Sequence, residues 1–382
     1  MSRCEPRVFN VGVGVQGEGH AKCCQALPHV RSPQSAIERC KWLALKATFV
    51  GSVLGAVLGS VLVVALVQAR ISAPGAADGV DAPPRGVFPL VVMYPPGQEN
   101  GRCFRELFEQ PDAWKQTRSA INALGYADHV LNRQFTDDQL QAWLPRLQEW
   151  GLKLELEVGA VKEWGPTGEK TFDAESPLWD RFQRLGGRVY SIAMDEPLCC
   201  VRSSLKKPDE YAVQETADFI ARVRQRYPEI LVGDIEPCPS IPVPEMIGWI
   251  GALQQRLAEK QVRGLDFFRV DVDWLHYVRG HGAWPDVKGL EQYCRSQKLP
   301  FSLIYWAADY PELQRRGLAD DATWYVGIMR QGNDYADVDG KPDQYVIESW
   351  IGAPSQSVPE SGAFTFTRSV LDFARRFVKR GQ

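Results

Sequence analysis

Arg188–Pro237 reads RVYSIAMDEPLCCVRSSLKKPDEYAVQETADFIARVRQRYPEILVGDIEP and holds one complete repeat of the architecture. The run 188–195 (RVYSIAMD) is short and largely apolar, as a buried strand requires. Pro208-Asp209-Glu210 then opens a helix, because proline fits a first helical turn and acids favour its positive end. That helix runs to Tyr227 and ends before Pro228, which disfavours helical geometry in the residue preceding it. A second apolar run, 229–235 (EILVGDI), follows at once.

Outward from this unit the alternation continues in both directions. Further apolar runs stand at 87–94, 128–132, 152–159, 265–272, 300–306 and 344–350, which makes eight in all. Helices with identifiable ends lie between them. Thr136, followed by Asp137 and Asp138, starts one that Gly151 stops, with Leu140, Trp143, Leu144 and Leu147 on one face. Another begins after Pro244 and carries Met246, Ile247, Ile250 and Leu253. The last, near Thr367, carries Val370, Leu371, Phe373, Ala374 and Phe377. The apolar run Trp324–Met329 reads as part of a helix, with a ninth strand as the alternative. Eight strands alternating with helices give an α/β fold, a (β/α)8 TIM barrel over 87–382, rather than an open doubly wound sheet. No Gly-x-Gly-x-x-Gly opens a helix, which argues against a dinucleotide fold.

Ahead of the barrel, 47–69 is a run of 23 residues without a charge, between Lys46 and Arg70. At 1.5 Å per residue, about 20 apolar residues cross a bilayer core, so a single transmembrane helix is expected there. The run exceeds the apolar core of a signal peptide, which favours an uncleaved anchor and makes the lipid bilayer a partner. Arg31, Arg39, Lys41 and Lys46 precede it, against Arg70 and Arg85 soon after. The excess predicts a single-pass protein with a cytoplasmic N-terminus and a periplasmic or extracellular barrel. Residues 1–46 then form a disordered cytoplasmic tail and 70–86, rich in Ala, Gly, Pro and Asp, a linker. Gly51, Gly55 and Gly59 share one face of the expected span, a spacing that suits a homodimer of close-packed helices.

Net charge of −3 gives no electrostatic case for nucleic acid. Cys4, Cys23, Cys24 and Cys40 do not match a zinc spacing. In an oxidising compartment Cys238 could bridge to Cys199 or Cys200. His129, His276 and His281 form no His-x-His, and neither a Gly-x-Ser-x-Gly elbow nor a P-loop is present. No metal or cofactor is expected.

Barrel chemistry sits at the C-terminal ends of the strands. Those ends supply Tyr94, Glu157, Asp195-Glu196-Pro197, Glu236, then Asp271 with Asp273 and Trp274, then Tyr305-Trp306, and Glu348-Ser349-Trp350. A single acid at a strand end is more often a cap or an ion-pair partner than a catalyst; acids on five strand ends, flanked by Trp and Tyr, shift that balance for the set. Two carboxyl groups of different pKa are what glycosidic cleavage needs, one as proton donor and one as nucleophile or base. Candidate catalytic residues are Glu196, Glu236, Asp271 and Glu348. Tyr94, Glu157, Asp195, Asp273, Trp274, Tyr305, Trp306 and Trp350 would bind a polysaccharide or oligosaccharide. Arg269, two residues before Asp271, is expected to pair with it and keep it ionised.

Asp195-Glu196-Pro197 resembles the Asn-Glu-Pro at strand four of the large clan of barrel glycoside hydrolases. The resemblance implies that Glu196 is a general acid/base. It places Asp195 where the clan has the Asn that touches the sugar 2-hydroxyl. The clan's nucleophile, a Glu ending strand seven, has no counterpart in Ile304-Tyr305-Trp306-Ala307. Two readings follow. One is a membrane-anchored glycoside hydrolase; the alternative is a non-catalytic glycan-binding barrel in an envelope polysaccharide assembly or export complex.

Overall fold

The computed structural model describes residues 88–279 and 283–378. Eight strands run parallel: β1 (Val91–Tyr94), β2 (Ala123–Ala127), β3 (Lys153–Val158), β4 (Val189–Asp195), β5 (Leu231–Cys238), β6 (Phe267–Val272), β7 (Phe301–Tyr305) and β8 (Gln344–Glu348). They pair in sequence order and β8 pairs back onto β1, with Tyr94 level with Glu348, so the sheet closes. All eight residues of β5 are buried, as expected of a parallel strand covered on both faces.

Helices form the outer layer. Thr136 caps the helix Asp137–Glu149 through a capping box with Gln139, and Leu140, Trp143, Leu144 and Leu147 face inward as their spacing requires. Trp324–Met329 lies inside the helix Asp321–Asp337, so no ninth strand forms there. The last helix, Phe366–Phe377, is capped by Thr365 and buries Val370, Phe373 and Ala374.

One strand lies elsewhere than its apolar run suggests. Residues 128–132 belong to the helix Asp128–Gln134, and β2 is the preceding ALGYA. It carries no β-branched residue, and its Gly125 is required because the ring of Tyr94 crosses that position. A Cβ at Gly125 would sit 2.1 Å from that ring. Gly233 of β5 gives way to Phe267 in the same manner, at 2.0 Å.

The expected membrane architecture needs correction. Among the described residues no helix is long and apolar enough to cross a membrane. The physical reason is amphipathicity: even the 18-residue helix Asp209–Arg226 buries one face and carries charge on the other. The 47–69 segment, the Gly51, Gly55 and Gly59 face and the 1–46 tail lie outside the described residues. A single-pass anchor, the bilayer as partner, the glycine-mediated dimer and a barrel held outside the cytoplasm have no support in the described structure. The suggested bridge does not form: Cys199, Cys200 and Cys238 are buried and not disulfide-bonded.

Candidate functional site

Inside the barrel, side chains at every second position point to the axis. On β3 these include Glu155, which ties four strands together. It accepts from the Tyr94 hydroxyl at 2.8 Å (β1) and from the Ser191 hydroxyl at 2.8 Å (β4). It forms an ion pair with Arg269 at 2.6 Å (β6), both side chains fully buried. Arg269 also donates to Ser302 Oγ at 3.0 Å and to Gln344 Oε1 at 2.6 Å, drawing in β7 and β8. Burial alone would weaken the charge on Arg269, but the Glu155 carboxylate outweighs it and holds the guanidinium above its ordinary pKa. Burial and the same carboxylate push the Tyr94 hydroxyl well above its usual range. Arg269 is therefore committed to Glu155, and the expected Arg269–Asp271 pair gives way to this one. Glu155 escaped the sequence reading, although Glu155 and Glu157 stand two apart on one strand face.

Above this layer lies the mouth. Glu157, Asp271 and Glu348 are buried there, on the same strand faces as the network below. Trp306, just past β7, and Trp350, just past β8, bring their ring centroids within 4.3 Å at an angle of 46°. Trp306 is pinned by its indole N–H, which donates to the Val272 carbonyl at 3.0 Å, and by its backbone N–H, which donates to Gln331 at 2.9 Å. Asp195 forms an ion pair with Lys162 at 2.8 Å. Lys162 belongs to the tight turn Lys162–Gly165 beyond β3, and no pattern in the sequence singled it out. Burial would lower its pKa, yet Asp195 and Glu196 more than offset this and hold the ammonium above its ordinary value. Glu196 occupies a left-handed backbone position, φ 51°, between Asp195 and Pro197. Such a conformation is uncommon for a residue with a side chain and turns the chain sharply at the rim.

Other expected site residues lie elsewhere. Glu236 faces the helical layer: its carboxylate accepts from the backbone N–H groups of Leu198 at 2.7 Å and Cys199 at 3.2 Å. Asp234 likewise points outward and accepts from the Trp249 indole N–H at 2.6 Å. Burial, reinforced by Asp234, raises the pKa of Glu236 well above the carboxylate range. Tyr305 packs outward against Tyr345 and Phe373, with ring centroids at 5.8 and 4.6 Å. Tyr94, level with Glu348 at the end of β1, is buried and spends its hydroxyl on Glu155. Asp273 caps a short helix through the His276 N–H and meets its ring nitrogen at 2.6 Å. Trp274 lies buried beneath, donating to the Trp306 carbonyl at 3.1 Å. Glu157, Asp195, Glu196, Asp271, Glu348, Trp306 and Trp350 thus remain of the expected set.

This arrangement corrects the hydrolytic expectation. Of the four acids expected to divide the roles of proton donor and nucleophile, Glu236 is behind the sheet while Glu196, Asp271 and Glu348 stay at strand ends, and the neighbouring Asp195 is held by Lys162. Among the described residues no group of three or more His, Cys, Asp or Glu side chains could hold a metal ion. Burial pushes the Cys238 thiol up to about 12 and the Cys200 thiol up to about 11.

No protein-family model matches the chain, and no curated protein matches it. Among solved structures, the chain is similar to the GH53 catalytic domain of Ignisphaera aggregans at 10% identity, covering 80% of this chain and 100% of that one, with a TM-score of 0.47. A xylose isomerase domain containing protein of Salmonella typhimurium gives 12% identity, 75% and 95% coverage, and a TM-score of 0.40. Likenesses this weak carry no argument about activity, and the barrel assignment rests on the strand pairing of this chain.

Proposed function

We propose that the barrel mouth binds a glycan without cleaving it. The Trp306–Trp350 pair carries this reading. Aromatic faces suit the apolar C–H faces of sugar rings, and carboxylates such as Asp271 and Glu348 accept hydrogen bonds from hydroxyl groups. A few polar groups fixed beside aromatic walls is the usual composition of a small-molecule site. Three features support retention over hydrolysis: the aromatic residue in place of an acid at the end of β7, the Lys162–Asp195 pair beside Glu196, and the outward turn of Glu236.

The test is calorimetric titration of the full-length protein with neutral oligosaccharides of varied linkage, alongside an assay for released reducing ends. Binding is expected for at least one oligosaccharide, weakened about tenfold or more by Trp350→Ala, with no reducing ends released. Release of reducing ends that disappears in Glu196→Gln would overturn the reading, as would the absence of any binding.

A further inference from the structure

Beyond β3 the chain makes a short rim loop, 159–165, that is held at several points. Gly159 N–H donates to the Glu175 carboxyl at 2.6 Å. Lys162 and Gly165 exchange backbone hydrogen bonds at 3.0 and 3.1 Å, which makes Glu163-Trp164 a two-residue tip. The Gly165 carbonyl accepts from the Thr171 hydroxyl at 2.7 Å. The two side chains before Trp164 are engaged as well, Lys162 with Asp195 and Glu163 with Cys200 and Ser204.

Trp164 is left outside. Of the 12 tryptophans only Trp42 lies outside the described residues, and among the rest Trp164 alone is exposed, at 59%. Its indole reaches back over the end of β3: a Cβ at Gly159 would sit 3.0 Å from Trp164 Cζ2, so glycine makes room for the ring. A lone exposed apolar residue is ordinary on a surface. This one stands on a held turn at the C-terminal rim, where barrels bind their ligands. Trp350 follows β8, and β1 and β2 stand between β8 and β3. Eight strands about 4.8 Å apart and tilted by about 36° close into a barrel on the order of 15 Å across, so the two rings stand on different sides of the opening.

We infer that Trp164 is a second, outer stacking position for the ligand of the mouth, and that this ligand is an extended oligosaccharide. The inference rests on the glycan reading and adds the length of the glycan to it. A single sugar ring is too small to reach from Trp350 to Trp164. Both are engaged only by a chain of several units lying across the opening. Trp350, half-buried against Trp306, holds one part of that chain, and Trp164 holds another. Because the turn already fixes the indole, little conformational entropy is lost when a sugar ring settles on it.

Laminari-, cello- and malto-oligosaccharides from disaccharide to hexasaccharide, titrated into the full-length protein by calorimetry, test it. In a series that binds, the hexasaccharide should bind at least about tenfold more tightly than the disaccharide. Trp164→Ala should weaken the hexasaccharide about tenfold and leave the disaccharide unchanged, whereas Trp350→Ala should weaken both. Trp164→Phe should keep most of the affinity, since a phenyl ring still offers a face. Trp164 is exposed, so both of its variants keep the fold. In the parent, the hexasaccharide should also shield from acrylamide the part of the tryptophan emission that Trp164→Phe removes. A Trp164→Ala protein that binds the hexasaccharide like the parent, while Trp350→Ala does not, overturns the inference and spares the glycan reading. Equal affinity for the two lengths does the same. No binding in any series overturns both.

Discussion

β3 and β5 carry the same pattern, two acids separated by one apolar residue: Glu155-Leu156-Glu157 and Asp234-Ile235-Glu236. On β3 both acids face the barrel axis. On β5 both face the helices. Strand register makes the difference. Ala193 pairs with Gly233 and Gly233 with Phe267, so Gly233 and Ile235 take the inner positions on β5. The inner Gly233 is needed because Phe267 fills the space a side chain would occupy. Once Gly233 faces inward, Asp234 and Glu236 must face outward. There they survive because the Trp249 indole and two backbone N–H groups meet them. An acid at a strand end is thus assigned to a site by parity, and residue type alone misleads.

The sharpest way to break this comparison is Glu155→Gln. The β3 acid neutralises a fully buried Arg269, so its removal leaves an uncompensated buried cation. A loss of about 3–5 kcal/mol in denaturant-unfolding stability is expected. A loss under about 1 kcal/mol would mean that Glu155 is not the axial counter-ion.

Asp234 tests the outward face through pH. Burial raises its pKa from 3.8 to about 8, so between these values the native state holds a proton that the unfolded chain has released. Its contribution is full below 3.8 and is lost as pH rises towards 8. Asp234→Asn should therefore flatten the stability profile, removing a decline of roughly 2 kcal/mol between about pH 6 and about pH 8. An unchanged slope in the variant would show that Asp234 is ionised in the native state.

Glu236→Gln gives the smallest effect and the clearest contrast with the mouth. Burial keeps the Glu236 carboxyl protonated, so the variant exchanges one neutral acceptor of two backbone N–H groups for another and should cost under about 1 kcal/mol. Glycan binding should not change. Altered affinity at unchanged stability would place Glu236 at the mouth after all.

Much of the fold was legible. The strand–helix alternation located seven of the eight strands, and the Thr136 cap with its leucine and tryptophan face matched the helix observed. β2 was obscured because its Gly125 accommodates a ring from a neighbouring strand, a contact that composition does not encode. At the site, the mouth positions of Asp271, Glu348, Trp306 and Trp350 followed from their places at strand ends. The partner of Arg269 did not. Local spacing favours Asp271 two residues on, whereas barrel closure brings Glu155 across the axis from 114 residues away. Lys162 was equally hidden, since a loop residue gains meaning only when its turn lays it against Asp195.

Hydrogen–deuterium exchange of the full-length protein, with and without a bound oligosaccharide, tests the mouth reading most directly. The account predicts slower exchange in Trp306–Asp309 and Ser349–Ile351, beyond β7 and β8, and no change in Gln148–Lys153 at the opposite end. Protection confined to Gln148–Lys153, or no protection at either rim segment under saturating ligand, would contradict it.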